Sequence, residues 1–177
     1  MTLTTSEEAD ERQLELAQKA GDAYQEALTY MIEEVAETGD TREVKDYLVG
    51  FAQEEAEGMY ASTGDGDLEW EEPDDENCHV EVAVCDGDDG RFLPELDVSV
   101  AVLDGDEAVA EFEPQFLWHP GLHHYGDNVK IPGDGAYSIR VDVEPPGFER
   151  HDEENGDRYR DAVQVTFDDV QLTTGQS

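Results

Sequence analysis

At 177 residues the chain has room for one domain of ordinary size with a smaller appendage. Its 47 Asp and Glu residues against 10 Lys and Arg give a formal charge of -37, which excludes nucleic acid and anionic membrane surfaces as partners. Hydrophobic residues still make up 37% of the chain and fall in periodic runs, so this acidity does not signal disorder.

Lysine occurs only at Lys19, Lys45 and Lys130. Evenly spread carboxylates with so few lysines resemble adaptation to concentrated salt, where a Debye length of about 3 Å makes self-repulsion tolerable. The opening MTLTTSEEADERQ has neither a basic start nor an apolar run. Nor does any stretch approach the roughly 18 apolar residues of a membrane span, so no direct membrane insertion and a cytoplasmic location are expected. Two cysteines, Cys78 and Cys85, lie seven steps apart on an expected strand and face opposite ways, so they cannot bridge each other. Free thiols favour a reducing compartment.

Residues Ser6 to Glu37 read as a helix, with Leu14, Ala17, Gly21, Tyr24, Leu28, Met31, Ile32 and Val35 at three- and four-residue steps. Gly39 and Asp40 stop it, and Thr41 caps a second helix bearing Val44, Tyr47, Leu48, Phe51, Ala52 and Met59 on one face. An α-helical hairpin over residues 1–61 is therefore expected, with an interaction or stabilising role, and Met31 and Met59 as core filler. Residues 62–76 (STGDGDLEWEEPDDE) read as an acidic linker.

From Cys78 the period changes to two. Cys78, Val80, Val82 and Val84 face one way, and His79, Glu81, Ala83 and Cys85 the other. Further strands are expected at Phe92–Leu103, at Ala108–Phe116 with Pro114 interrupting, at Tyr137–Val143, and at Ala162–Val170 to close. Short strands at this spacing predict an immunoglobulin-like antiparallel β-sandwich over residues 77–177. The fold class is thus mainly β, preceded by helix.

All five histidines (His79, His119, His123, His124 and His151) fall in this second part of the chain. Neutral imidazole is the commonest protein ligand for late transition metals, so the clustering points to a metal site. His79 and Glu81, two apart on a strand, share a face with Cα atoms about 6.6 Å apart. The plainer alternative is that this face meets solvent. His123 and His124 are adjacent, so at most one joins a given site. Nothing matches a phosphate loop, a nucleophile elbow or a CxxC zinc knuckle. The turn Asp86-Gly-Asp-Asp-Gly90 lacks the twelve-residue register of a calcium loop.

His124-Tyr125-Gly126-Asp127-Asn128-Val129, Pro132-Gly133, Gly135, Tyr137 and Gly147-Phe148-Glu149-Arg150-His151-Asp152 follow the order HYG-x-N-[IV]-x-[LM]-P-G-x-G-x-Y, then P-x-x-G-F-x-R-H-x-D. Upstream stand Cys78-His79-Val80-Glu81 and Phe92-Leu93-Pro94-Glu95-Leu96. This resembles the periplasmic iron-transport proteins, the copper- and iron-binding sandwich partners of high-affinity iron permeases. The resemblance, over about Asn77 to Phe167, implies a dimeric sandwich whose metal site has three histidines, a carboxylate and a methionine. By position the ligands would be His79, His124 and His151, with Glu81 as the carboxylate. The methionine position falls at Leu117, and His119 or His123 would fill the vacancy. Without a thioether the set suits Cu(II), Fe(II) or Zn(II).

The expected function is capture, storage or hand-over of a divalent transition metal, without enzymatic turnover. The expected partners are the ion, a membrane iron permease or other metal acceptor, and a second copy of the chain. By family habit the location would be extracytoplasmic. The rival expectation is an interaction module on a sandwich whose metal site has decayed, assembling through the helical hairpin.

Overall fold

The computed structural model describes residues 2–176. Helix α1 (Glu11–Tyr30) begins at a capping box: Gln13 N–H donates to Asp10 Oδ1 and Asp10 N–H donates to Gln13 Oε1. Such a cap is worth about 1 kcal/mol. The helix runs into a π-turn, Met31–Val35, closed by Ala36 N–H donating to Met31 O.

The second helix of the expected hairpin does not form. Residues Thr38–Val44 are strand β1 and Tyr47–Glu54 strand β2, joined by a tight turn with Lys45 at φ +51°. The i, i+3, i+4 recurrence of Val44, Tyr47, Leu48, Phe51 and Ala52 comes from a strand buried on both faces, which reads as a nearly unbroken apolar run. Tyr47, Val49 and Phe51 enter the main core, while Leu48 and Ala52 meet the helix.

A two-stranded ribbon follows, β3 (Met59–Ser62) and β4 (Leu68–Glu71), within the stretch expected as linker. Then come β5 (Cys78–Asp86), β6 (Val98–Asp104), β7 (Glu107–Phe112), β8 (Gln115–Leu117), β9 (His124–Val129), β10 (Gly135–Val143) and β11 (Val163–Leu172). The strand expected from Phe92 starts only at Val98, because Glu95 at φ +57° breaks the extended run after Pro94. At Pro114 the chain leaves one sheet for the other.

Two antiparallel sheets, ordered β1-β2-β5-β9-β8 and β11-β10-β6-β7, pack face to face, giving a mainly β fold with one N-terminal helix. Between them lie Phe51, Val80, Val82, Val84, Ile139, Val141 and Phe167, with the Phe51 and Phe167 rings 4.6 Å apart. The other face of the five-stranded sheet is covered too. Leu28 and Met31 bury Ala52, Ala83, Cys85 and Leu122 in a second core. Helix α1 comes so close at Gly21 that a Cβ there would stand 1.6 Å from Asp89 O. Strand β5 is consequently buried along its whole length, and the face bearing His79 and Glu81 lies inside the protein. No described helix is long and apolar enough to cross a membrane.

Candidate metal centre

Strand register builds the site. Glu81 pairs with Gly126 and His79 with Asn128 across β5 and β9, and His124 begins β9 on the same face as Gly126. His79, Glu81 and His124 are 0%, 3% and 2% exposed. The Nε2 atoms of His124 and His79 lie 3.3 Å and 3.9 Å from Glu81 Oε1, and one ligand atom from each residue falls within 4.8 Å of the others.

The rings are held from behind. His124 Nδ1–H donates to Leu122 O at 2.8 Å. His79 Nδ1–H donates to Asn128 Oδ1 at 2.9 Å, and Asn128 is oriented by its own donation to Glu57 O at 2.7 Å. Both imidazoles therefore carry their proton on Nδ1 and turn an Nε2 lone pair inward, the arrangement of metal-ligating histidines. Burial pulls the His124 pKa down to about 4, so the imidazole beside Glu81 is neutral. Burial, then the like charges of Glu54 and Glu57, push Glu81 up to about 8.

Two buried ring nitrogens here, His79 Nε2 and His124 Nε2, have no hydrogen-bond partner. Each such orphan costs about 1–3 kcal/mol. Gly126 leaves open the space they face: a Cβ on it would lie 3.0 Å from His79 Nε2 and 3.1 Å from His124 Cδ2. The two ring lone pairs and the Glu81 carboxyl converge, a set that fits a divalent cation, which would satisfy them at once.

A family model described as Fe2+ transport protein matches residues 55–173. The chain belongs to the Fe2+ transport protein family. No curated protein matches it. Among solved structures, FetP of uropathogenic E. coli strain F11, isolated after expression in the periplasm of E. coli BL21(DE3), has a TM-score of 0.61 at 20% identity, covering 78% of this chain and 95% of its own. The copper-reconstituted P19 protein of Campylobacter jejuni has a TM-score of 0.63 at 18% identity, covering 78% and 96%. A copper-bound variant of FetP gives 0.61 at 20%, covering 78% and 92%. At these identities the likeness is one of fold.

Of the four expected ligands and the two candidates for the vacant position, one chain brings together His79, Glu81 and His124. His119 lies alongside, its ring 5.8 Å from that of His124. Its Nδ1 accepts from Gly121 and Leu122 N–H, both at 3.0 Å, which leaves the proton on Nε2 and no free lone pair. His123 is exposed and packs against Phe116 and Trp118, pointing away from its neighbour. His151 lies in the loop between β10 and β11 with 92% of its side chain exposed, its Nδ1 3.3 Å from Glu8. That loop is tied to the N-terminal segment by Ser6 Oγ donating to Asp152 and by Asn155 bonding both ways with Thr4.

Sequence reasoning missed Glu54 and Glu57, which stand beside the centre, and the orienting role of Asn128. The signal for Glu54 is its cross-strand pairing with His79, hidden when β2 is read as helix. Cys78 and Cys85 are buried in different cores with thiol pKa values pushed up to about 12 by burial, so their free state says little about compartment.

Proposed function

We propose that this protein binds a divalent transition-metal ion, Cu(II), Fe(II) or Zn(II), through His79, Glu81 and His124, and serves metal transport by capture, storage or hand-over without turnover. The carrying observation is the convergence of His79 Nε2, His124 Nε2 and the Glu81 carboxyl, one ligand atom from each within 4.8 Å of the others, beside Gly126. The family supports iron as cargo, and the copper-bound relatives support a site with broad affinity for late divalent ions.

The third imidazole is His151 of a second copy of the chain. Its exposure, with only Nδ1 beside Glu8, lets its Nε2 make an intermolecular contact, which joins the three-histidine expectation to the dimeric one. Hand-over to a membrane iron permease or another acceptor outside the cytoplasm follows the family habit and replaces the cytoplasmic location expected from the opening residues.

Metal analysis and Cu(II) titration in molar salt test the reading. One tight ion per chain is expected, with His124→Ala abolishing it and His151→Ala weakening it and removing ion-promoted dimerisation. A His79→Ala/His124→Ala chain that binds Cu(II) like the parent would falsify the assignment.

A further inference from the structure

The third imidazole also has a partner on its Nδ1 side. Glu8 Oε2 stands 3.3 Å from His151 Nδ1. An acceptor at Nδ1 keeps the ring proton there and leaves the Nε2 lone pair for a metal, as Leu122 O does for His124 and Asn128 Oδ1 for His79. On a chain with 47 acidic residues, one exposed ion pair means little by itself, because such pairs add little to stability.

What sets this pair apart is how both of its residues are held. Glu8 lies in the segment before helix α1, which has no regular secondary structure yet is tied down along its length. Leu3 N–H donates to Asp88 Oδ2 at 2.7 Å, Thr4 N–H to Asn155 Oδ1 at 2.8 Å, and Ser6 Oγ to Asp152 Oδ2 at 2.7 Å. Ser6 Oγ in turn accepts from the N–H groups of Glu8 and Ala9, so the bend bearing Glu8 hangs from the residue after His151.

The loop side is fixed as well. Asp152 Oδ1 accepts from the N–H groups of Glu154 and Asn155, and Arg150 donates to the carbonyls of Phe148 and Arg158 at 2.8 Å and 3.2 Å. Both sequence neighbours of His151 are thereby anchored while its ring projects into solvent. A ligand offered to another molecule gains from such support, since a ring already oriented loses less freedom on coordination. The segment that supplies Glu8 also lies outside the family match, which begins at residue 55.

We propose that the N-terminal segment is a strap that orients His151 for the ion of a second copy of the chain, with Glu8 as the positioning residue at Nδ1. The inference rests on His151 ligating that ion. The plainer alternative, that the segment only closes the N-terminus onto the body, predicts no link between Glu8 and metal.

A double-variant cycle on Cu(II) affinity tests the strap, with the full chain in molar salt at concentrations where the ion-loaded parent dimerises. Glu8→Ala should weaken Cu(II) binding by about tenfold, the low end for losing an orienting group behind a metal-ligating histidine. Glu8→Gln, which keeps an oxygen acceptor, should lose less. Because Glu8 is exposed, the denaturant midpoint of metal-free Glu8→Ala should match the parent's. In a His151→Ala chain, Glu8→Ala should change nothing further. Equal affinity of parent and Glu8→Ala, a Glu8→Gln loss as large as that of Glu8→Ala, or the same Glu8→Ala loss with His151 absent overturns the strap's role and leaves His151 as a ligand. A His151→Ala chain that binds Cu(II) like the parent overturns the ligand assignment, and the strap's role with it.

Discussion

Glu81 and Gly126 oppose each other across β5 and β9, and the methyl group that Gly126 lacks would stand 3.0 Å from His79 Nε2. The glycine is a spatial requirement of the centre. Gly126→Ala places a carbon where lone pairs converge, and it should weaken Cu(II) or Zn(II) binding by about 10–100-fold, the scale of other disturbances beside metal ligands. Overpacking should also cost about 1–3 kcal/mol in denaturant unfolding of the metal-free chain. Unchanged affinity in a competition titration would show that the ion sits elsewhere.

Asn128 holds His79 in its tautomer and ties Glu57 to the same point. Asn128→Ala should reduce metal affinity by about 10–100-fold while the fold survives, as judged by circular dichroism. An affinity equal to the parent's would mean that His79 needs no such support.

Leu117 stands where the family resemblance places a methionine, and its Cδ1 would lie 3.0 Å from a Cβ on Gly126, so the side chain faces the centre. Leu117→Met conserves volume and should cost less than about 1.5 kcal/mol. The thioether it adds favours soft ions, so Cu(I) affinity should rise by about tenfold in a chelator competition while Zn(II) affinity changes little. A rise for Zn(II) as large as for Cu(I) would contradict the stated geometry.

The pH dependence has a defined sign. Glu81 is raised from 4.5 to about 8, so its contribution to metal-free stability is complete below pH 4.5 and is lost as pH rises through about 8. His124 is lowered from 6.5 to about 4, so its contribution is present above pH 6.5 and is lost as pH falls through about 4. Between pH 6.5 and 8 only the first changes. Denaturant unfolding of the metal-free parent should fall relative to Glu81→Gln across that window, and parallel curves would refute the assignment. Metal must displace the Glu81 proton, so affinity should rise with pH over the same range and calorimetry in two buffers should detect proton release near pH 7.

Most of the sandwich is legible in period-two runs such as Cys78–Cys85 and Tyr137–Val143, where one face is apolar throughout. Strand β2 is not, because burial on both faces by different partners erases the alternation that marks a strand. With β2 read as helix, nothing places Glu54 beside His79. His79 and Glu81 are legible as a pair from their spacing alone. That their face is buried is not, since it depends on helix α1 covering a sheet some fifty residues away in sequence. The inward turn of both Nε2 atoms depends on Asn128 and on the Leu122 carbonyl, and a main-chain acceptor leaves no mark in a side-chain pattern.

The family match begins at residue 55, yet the strand beside β5 is Tyr47–Glu54 and the cover over it is α1. A polypeptide begun at that boundary would bare one whole rim of β5, with its amide and carbonyl groups open to any passing chain and the apolar patch around Ala83 and Cys85 turned to water. Such a fragment is a seed for self-association, so the residues before the match belong to the solubility of the sandwich.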